Sequence, residues 1–170
     1  MEQPTELNVE HLSTYLNDHL AGSVAALELI EHLAKNYPDS PLESFLAELH
    51  ADVAADQDVL RDLLRTFDVK ESAVRKAGAW ITEKFGQAKL GLSKHEVSGA
   101  GLLEALEGLA LGISGKQLLW RSLAAAAESL PQLAGPDYAR LEQKAMEQRD
   151  RVEEKRLAAA RQAFRARAET

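Results

Sequence analysis

The stretch Asn36–Phe67, NYPDSPLESFLAELHADVAADQDVLRDLLRTF, decides the fold. Its first residues, Tyr37-Pro38-Asp39-Ser40-Pro41, stop one helix and start another. Ser40 is placed to cap, Pro41 falls at the first helical position, where its missing N–H is harmless, and Glu43 lies three residues after the cap. Beyond that start, Leu42, Leu46, Leu49, Val53, Leu60, Leu63 and Phe67 recur at heptad-like spacing, with Asp56 continuing the run Leu49-Val53. On the other side of the break, Leu7–Asn36 carries Leu12, Leu16, Ala26, Ile30 and Leu33 at similar steps, with His19 continuing the run Leu12-Leu16. Two amphipathic helices joined by so few residues form an antiparallel hairpin.

The rest of the chain supplies a second pair. Gly101–Ser129 holds Leu102, Leu103, Leu106, Leu109, Ala110, Ile113, Leu118, Leu119 and Leu123, with Gly108, Gly112 and Gly115 inside it. Each glycine weakens a helix by about 1 kcal/mol relative to alanine, so three on nearly one face predict the close approach of another backbone. A turn at Pro131–Pro136 leads to a charged helix over Asp137–Ala168, whose thin apolar stripe is Tyr138, Leu141, Ala145, Val152, Ala159 and Phe164. Opposite charges four apart, such as Glu147 and Arg151, are expected to pair along its outer face. Between the pairs, residues 68–99 read as a crossover with a short helix from Glu71 to Phe85 and a glycine- and serine-containing far end. Burial of Trp80 is expected there, with Lys84, Phe85 and Lys89 beside it as the alternative partner patch. The whole is one all-α domain over residues 1–170, with a flexible N-terminus over 1–6 and a C-terminal helix end that projects.

Composition narrows the function classes. The chain has 170 residues, 45% apolar and 28% charged, with 10 Gly, 5 Pro and no Cys. A chain of that size buries a real core, and lack of cysteine removes disulfides, thiol catalysis and iron–sulfur clusters. The net charge of −7 argues against nucleic acid as a partner. It is unevenly distributed: residues 1–70 carry 4 basic and 14 acidic side chains, whereas residues 137–170 carry 9 basic and 7 acidic. The acidic first hairpin is expected to be solvated and to pair with the last helix. Arg156, Arg161, Arg165 and Arg167 gather at the basic end, where they suit the helix C-terminal dipole or contact with an anionic surface. The polar start lacks the apolar core of a signal peptide, and Glu104, Glu107 and Lys116 interrupt the longest weakly polar run, so the expectation is a cytoplasmic protein without a transmembrane segment.

Two hairpins joined by a long crossover is the ferritin-like plan. The stretches LNDHL at 16–20, FLAELHADVAADQDVLRDLL at 45–64 and LEALEGLALGISGKQLLW at 103–120 resemble members of that superfamily. The resemblance covers residues 7–165 by layout and texture, and is nearer to small bacterial ferritin-like proteins than to ferritin or rubrerythrin. It implies a four-helix bundle able to hold two metal ions, iron or manganese, with iron storage, oxidation or peroxide handling as activities.

The family signature takes Glu from two helices and Glu-x-x-His from the other two, because residues three apart share a helix face. No Glu in this chain precedes a His by three: Leu16 precedes His19, Leu29 precedes His32 and Ala47 precedes His50. Counting about 1.5 Å per residue from the turns sorts the polar residues into layers. A middle layer holds His19, Asp56, Lys116 or Gln117, and Gln148 or Arg149. An upper layer holds Glu28, Glu31, His32, His50, Asp52, Glu104 and Glu107, with Arg156 or Arg161 opposite. With cations and amides as neighbours, buried His19 and Asp56 predict a hydrogen-bonded ion-pair layer that fixes register. The alternative is a nonstandard carboxylate and histidine metal site drawn from His19, Asp56, Glu28, Glu31, His32, His50, Glu104 and Glu107.

Other chemistry lacks its motifs. Gly112-Ile113-Ser114-Gly115-Lys116 has no preceding strand to make it a phosphate loop, Ser114 lacks a nucleophile elbow, and no catalytic residue is assigned. The functional expectation is a non-catalytic structural or interaction bundle, stress-related in setting, that associates with itself or another protein. The competing expectation is a metal-binding oxidoreductase or iron-handling protein.

Overall fold

Helix boundaries follow the capping chemistry. In the computed structural model, which describes residues 6–71 and 99–165, Ser40 Oγ accepts from the Glu43 amide at 3.1 Å and Glu43 Oε2 accepts from the Asp39 amide at 2.7 Å. This reciprocal cap satisfies amides at the helix start that have no intrahelical partner. Asp39 itself adopts φ of 54°, a left-handed geometry that Asp tolerates. Asn8 and Asp137 cap two further helices, accepting from the amides of His11 and Arg140, each at 3.0 Å.

The described residues are all-helical, with four long helices and no strand. They are α1 Val9–Asn36, α2 Pro41–Thr66, α3 Gly99–Ala127 and α4 Tyr138–Ala163, with a short 3-10 turn at Pro131–Leu133 before the last. The expected crossover, including Trp80, Lys84, Phe85 and Lys89, lies outside the described residues except at its ends, as do Arg167 and residues 1–5. No helix among the described residues is long and apolar enough to cross a membrane.

The four helices share one core. Leu16, Leu20, Leu33, Leu46, Leu49, Leu64, Leu106 and Leu119 are almost completely buried in it. The pairs in contact are α1 with α2, α3 with α4, α1 with α3, and α2 with α4. Polar contacts fix their sense. Gln57 meets Ser23 and His50 meets Glu31, while Arg121 meets Glu142, Lys116 meets Gln148 and Arg156 meets Glu107. Rising numbers on one helix thus meet falling numbers on its neighbour.

Two apolar assignments change. Leu118 is 57% exposed and Phe164 is 79% exposed, so neither joins the core. Leu118 lies one residue outside the buried face that Leu119 occupies, and Phe164 follows the last residue of α4. Glu147 accepts from Gln143 rather than pairing with Arg151, which crosses to Asp52 on α2 instead.

The Ser40 cap gives a direct check. Ser40→Ala is expected to lower stability by about 1 kcal/mol with an unchanged denaturant slope. Urea titration measures it, and an unshifted midpoint would show that the cap contributes nothing.

Candidate functional site

Asp56 is the centre of the site. It stands where the α2 stripe calls for an apolar residue, so the helix that buries Val53 and Leu60 also buries this carboxylate, which is 2% exposed. An unpaired charge there would cost several kcal/mol. Donors from two other helices meet it: Lys116 Nζ at 2.6 Å on Oδ2, Gln148 Nε2 at 2.9 Å on Oδ2 and Lys144 Nζ at 3.2 Å on Oδ1. Lys116 also donates to Gln148 Oε1, so the amide joins carboxylate and ammonium on opposite ends. Gln148 is itself fully buried on α4.

The electrostatics follow from this geometry. Burial on its own would raise the Asp56 carboxyl, but the Lys116 charge, hydrogen bonds from Lys116 and Gln148, and the Lys144 charge together hold it below its ordinary value of 3.8. Burial lowers the Lys116 ammonium from its ordinary value of 10.5, against the pull of Asp56. Both directions fit a pair out of water: the carboxylate gathers three donors, whereas Lys116 has fewer partners to offset its desolvation.

His19 sits apart from this layer. It is half-buried, packs edge-on against Tyr15 with ring centroids 4.7 Å apart, and makes no hydrogen bond to Asp56. Burial lowers its pKa despite the nearby Asp18. His19, Asp56 and Lys116 nonetheless border one cavity of about 230 Å³ between α1, α2 and α3. Of the alternatives at equal height, the structure places Lys116 and Gln148 on Asp56, while Gln117 and Arg149 lie farther round and reach Glu142 and Asp150. Lys144 joins without having been singled out. It precedes Gln148 by one helical turn, which is the spacing that would have pointed to it.

The upper layer separates into pairs. His50 Nε2 lies 3.2 Å from Glu31 Oε1, His32 Nε2 lies 3.3 Å from Asn36 Nδ2, and Glu107 accepts from Arg156 at 3.2 Å. Glu28 and Glu104 are exposed. Among the described residues there is no group of three or more His, Asp or Glu side chains that could hold a metal ion. The Asp56 layer does not fit one either. It offers one carboxylate beside two ammonium groups, which ligate nothing while protonated and repel a divalent cation. Arg156 is also engaged, by Glu153 and Glu107, whereas Arg161 and Arg165 remain exposed.

The acidic face of α2 meets cations from α4. Arg151 pairs with Asp52 and lies 3.7 Å from Glu48, and Lys144 reaches Asp56. No family model, curated protein or solved structure matches this chain.

Removing one partner of the buried layer should cost far more than removing all of it. Asp56→Ala, which strands Lys116, is expected to lose about 3–5 kcal/mol, whereas Asp56→Leu with Lys116→Met and Gln148→Leu stays within roughly 1 kcal/mol of wild type or exceeds it. Chemical denaturation measures both, and a mild effect of Asp56→Ala would reject the pairing.

The same layer sets a pH signature. A carboxyl with a depressed folded pKa adds stability that is complete above its unfolded value and disappears as pH falls through the folded value. The stability gap between wild type and Asp56→Asn should therefore be constant near neutrality and shrink only below about pH 4. A gap that persists unchanged into strong acid would show that the Asp56 charge contributes nothing.

Proposed function

We propose that the chain is a ferritin-like helical bundle that works without a metal centre, as a structural or interaction protein rather than an enzyme. The carrying observation is the carboxylate of Asp56, satisfied by Lys116, Lys144 and Gln148 in the middle of the core. In a metal centre the positive charge comes from a bound ion and the protein contributes carboxylates in excess. Here lysines of α3 and α4 provide the positive charge, and the layer is complete from the chain alone.

The order of contacts supports the bundle plan. With neighbours antiparallel as their polar contacts run, the end of α2 and the start of α3 lie at opposite ends, about 40 Å apart for helices of this length. A long connection is what the ferritin-like arrangement requires at that point. For an interaction role, Leu111 and Leu118 are 74% and 57% exposed, two helical turns apart on one face of α3.

Metal analysis decides between this reading and a metal-binding oxidoreductase. Protein purified without added metal is expected to carry no stoichiometric iron or manganese, and its Tm should not move when either is added. A metal that bound the folded state at a hundredfold excess over its Kd would stabilise it by about 2.7 kcal/mol. Two ions per chain, or such a rise in Tm, would establish the oxidoreductase or iron-handling reading instead.

A further inference from the structure

Over its middle turns α3 is nearly apolar all round. Between Glu107 and Arg121 the one charged residue is Lys116, and it turns inward to Asp56. Leu109, Ile113 and Leu119 on the inner face are buried in the core, whereas Leu111 and Leu118 stand exposed on the outer face. A surface helix ordinarily sets charged residues on the side away from its core, and one that is apolar on every side is covered on every side.

The exposed side carries a heptad seam of its own. Gly108, Gly115 and Ser122 fall seven apart, and Leu111 and Leu118 alternate with them at steps of three and four. Glycine at such a spacing permits the close approach of another backbone. At Gly115 the chain itself brings none: a Cβ built there meets nothing within 4 Å. Gly108 and Gly115 are half-buried and the leucines between them project, so gaps and knobs alternate along the seam.

We infer, resting on the interaction reading and naming its partner, that a second copy of this chain covers this face, its α3 antiparallel to the first about a two-fold axis at the height of Ile113. The spacing selects that arrangement. With the axis there, Leu111 meets Gly115 and Leu118 meets Gly108, and symmetry repeats both contacts. Every leucine enters a gap that a glycine leaves. Parallel helices in register would set leucine on leucine and gap on gap. Charge makes the same choice. Glu104 and Glu107 are exposed at one end of the seam and Arg121 at the other. Antiparallel copies bring the acids of each beside Arg121 of its partner, whereas parallel copies set acid against acid. A helix of another protein could also fill the gaps, but only a second copy makes use of a seam that matches itself when reversed.

Sedimentation equilibrium of the full chain, across a wide range of concentration, tests it. One helix pair makes a small interface, so a dimer with a Kd on the order of micromolar is expected. Leu111→Asp with Leu118→Asp should weaken it by roughly a hundredfold or more. Circular dichroism and the urea midpoint of that variant should hold, because both side chains are exposed. Cysteine crosslinking reads the geometry, in a chain that has no cysteine of its own. Gly108→Cys mixed with Leu118→Cys should form a disulfide, whereas neither variant alone should, because like positions lie about 15 Å apart along the axis. This arm carries the test should the aspartate variant not fold. A monomer at every concentration, a dimer that the folded aspartate variant leaves intact, or a disulfide of Leu118→Cys with itself would each overturn the inference. A metal-free monomer would do so while leaving the interaction reading with another protein as partner, whereas two metal ions per chain would overturn that reading whatever the mass.

Discussion

A carboxylate in the middle of a hydrocarbon core constrains everything around it. Asp56 cannot be left without partners at 2% exposure, and the partners must arrive from helices distant in sequence, 60 and 92 residues away at Lys116 and Gln148. Hydrocarbon stripes tolerate sliding, because one leucine against another is nearly as good a turn higher or lower. A hydrogen-bonded triad is not tolerant: moving α3 or α4 by one turn, about 5.4 Å, strands a buried charge. The layer therefore converts a general tendency to bury apolar faces into one register, and that register places Arg151 against Asp52 and Arg156 against Glu107 above it.

The consequence appears in the uneven quality of packing. Close to Asp56 no buried side-chain polar atom lacks a partner, down to Ser23, which donates to the Leu20 carbonyl while accepting from Gln57. One turn of α3 beyond Lys116 the pattern reverses at Trp120, whose ring stacks with Tyr138 at 6.4 Å while its N–H goes unanswered. Tyr138, by contrast, donates its hydroxyl to the Leu133 carbonyl at 2.7 Å and locks the turn before α4. Of these two buried aromatic donors side by side, one is satisfied within the chain and the other has no acceptor.

Much of this was legible in the sequence, for a specific reason. Helical rise is constant, so once the Ser40 cap and the later turn fix the helix ends, height along each helix is countable. That put Asp56 at one level with His19, with Lys116 or Gln117, and with Gln148 or Arg149. Rotation about the axis is less certain, and the errors lie there. His19 continues a leucine run yet lies half out of the core, beside Tyr15. Leu118 is one step, 100° of rotation, from buried Leu119. Lys144 went unread because its long stem carries a charge to Asp56 from a position that is itself partly exposed. The cavity was the least legible element, because a glycine spacing that permits close approach also permits empty space, and only the neighbouring backbone decides between them.

The source of positive charge separates two uses of the same kind of helical layer. Carboxylates gathered around an external ion give a centre that loads, empties and changes oxidation state, with the protein destabilised when the ion leaves. Ammonium groups on the chain cannot leave. They neutralise Asp56 permanently, lock the register and remove the electron and ligand exchange that catalysis at a metal requires. On the proposed reading, a core built this way serves register rather than chemistry at its centre. The proposed reading accordingly looks for function outside the polar layer.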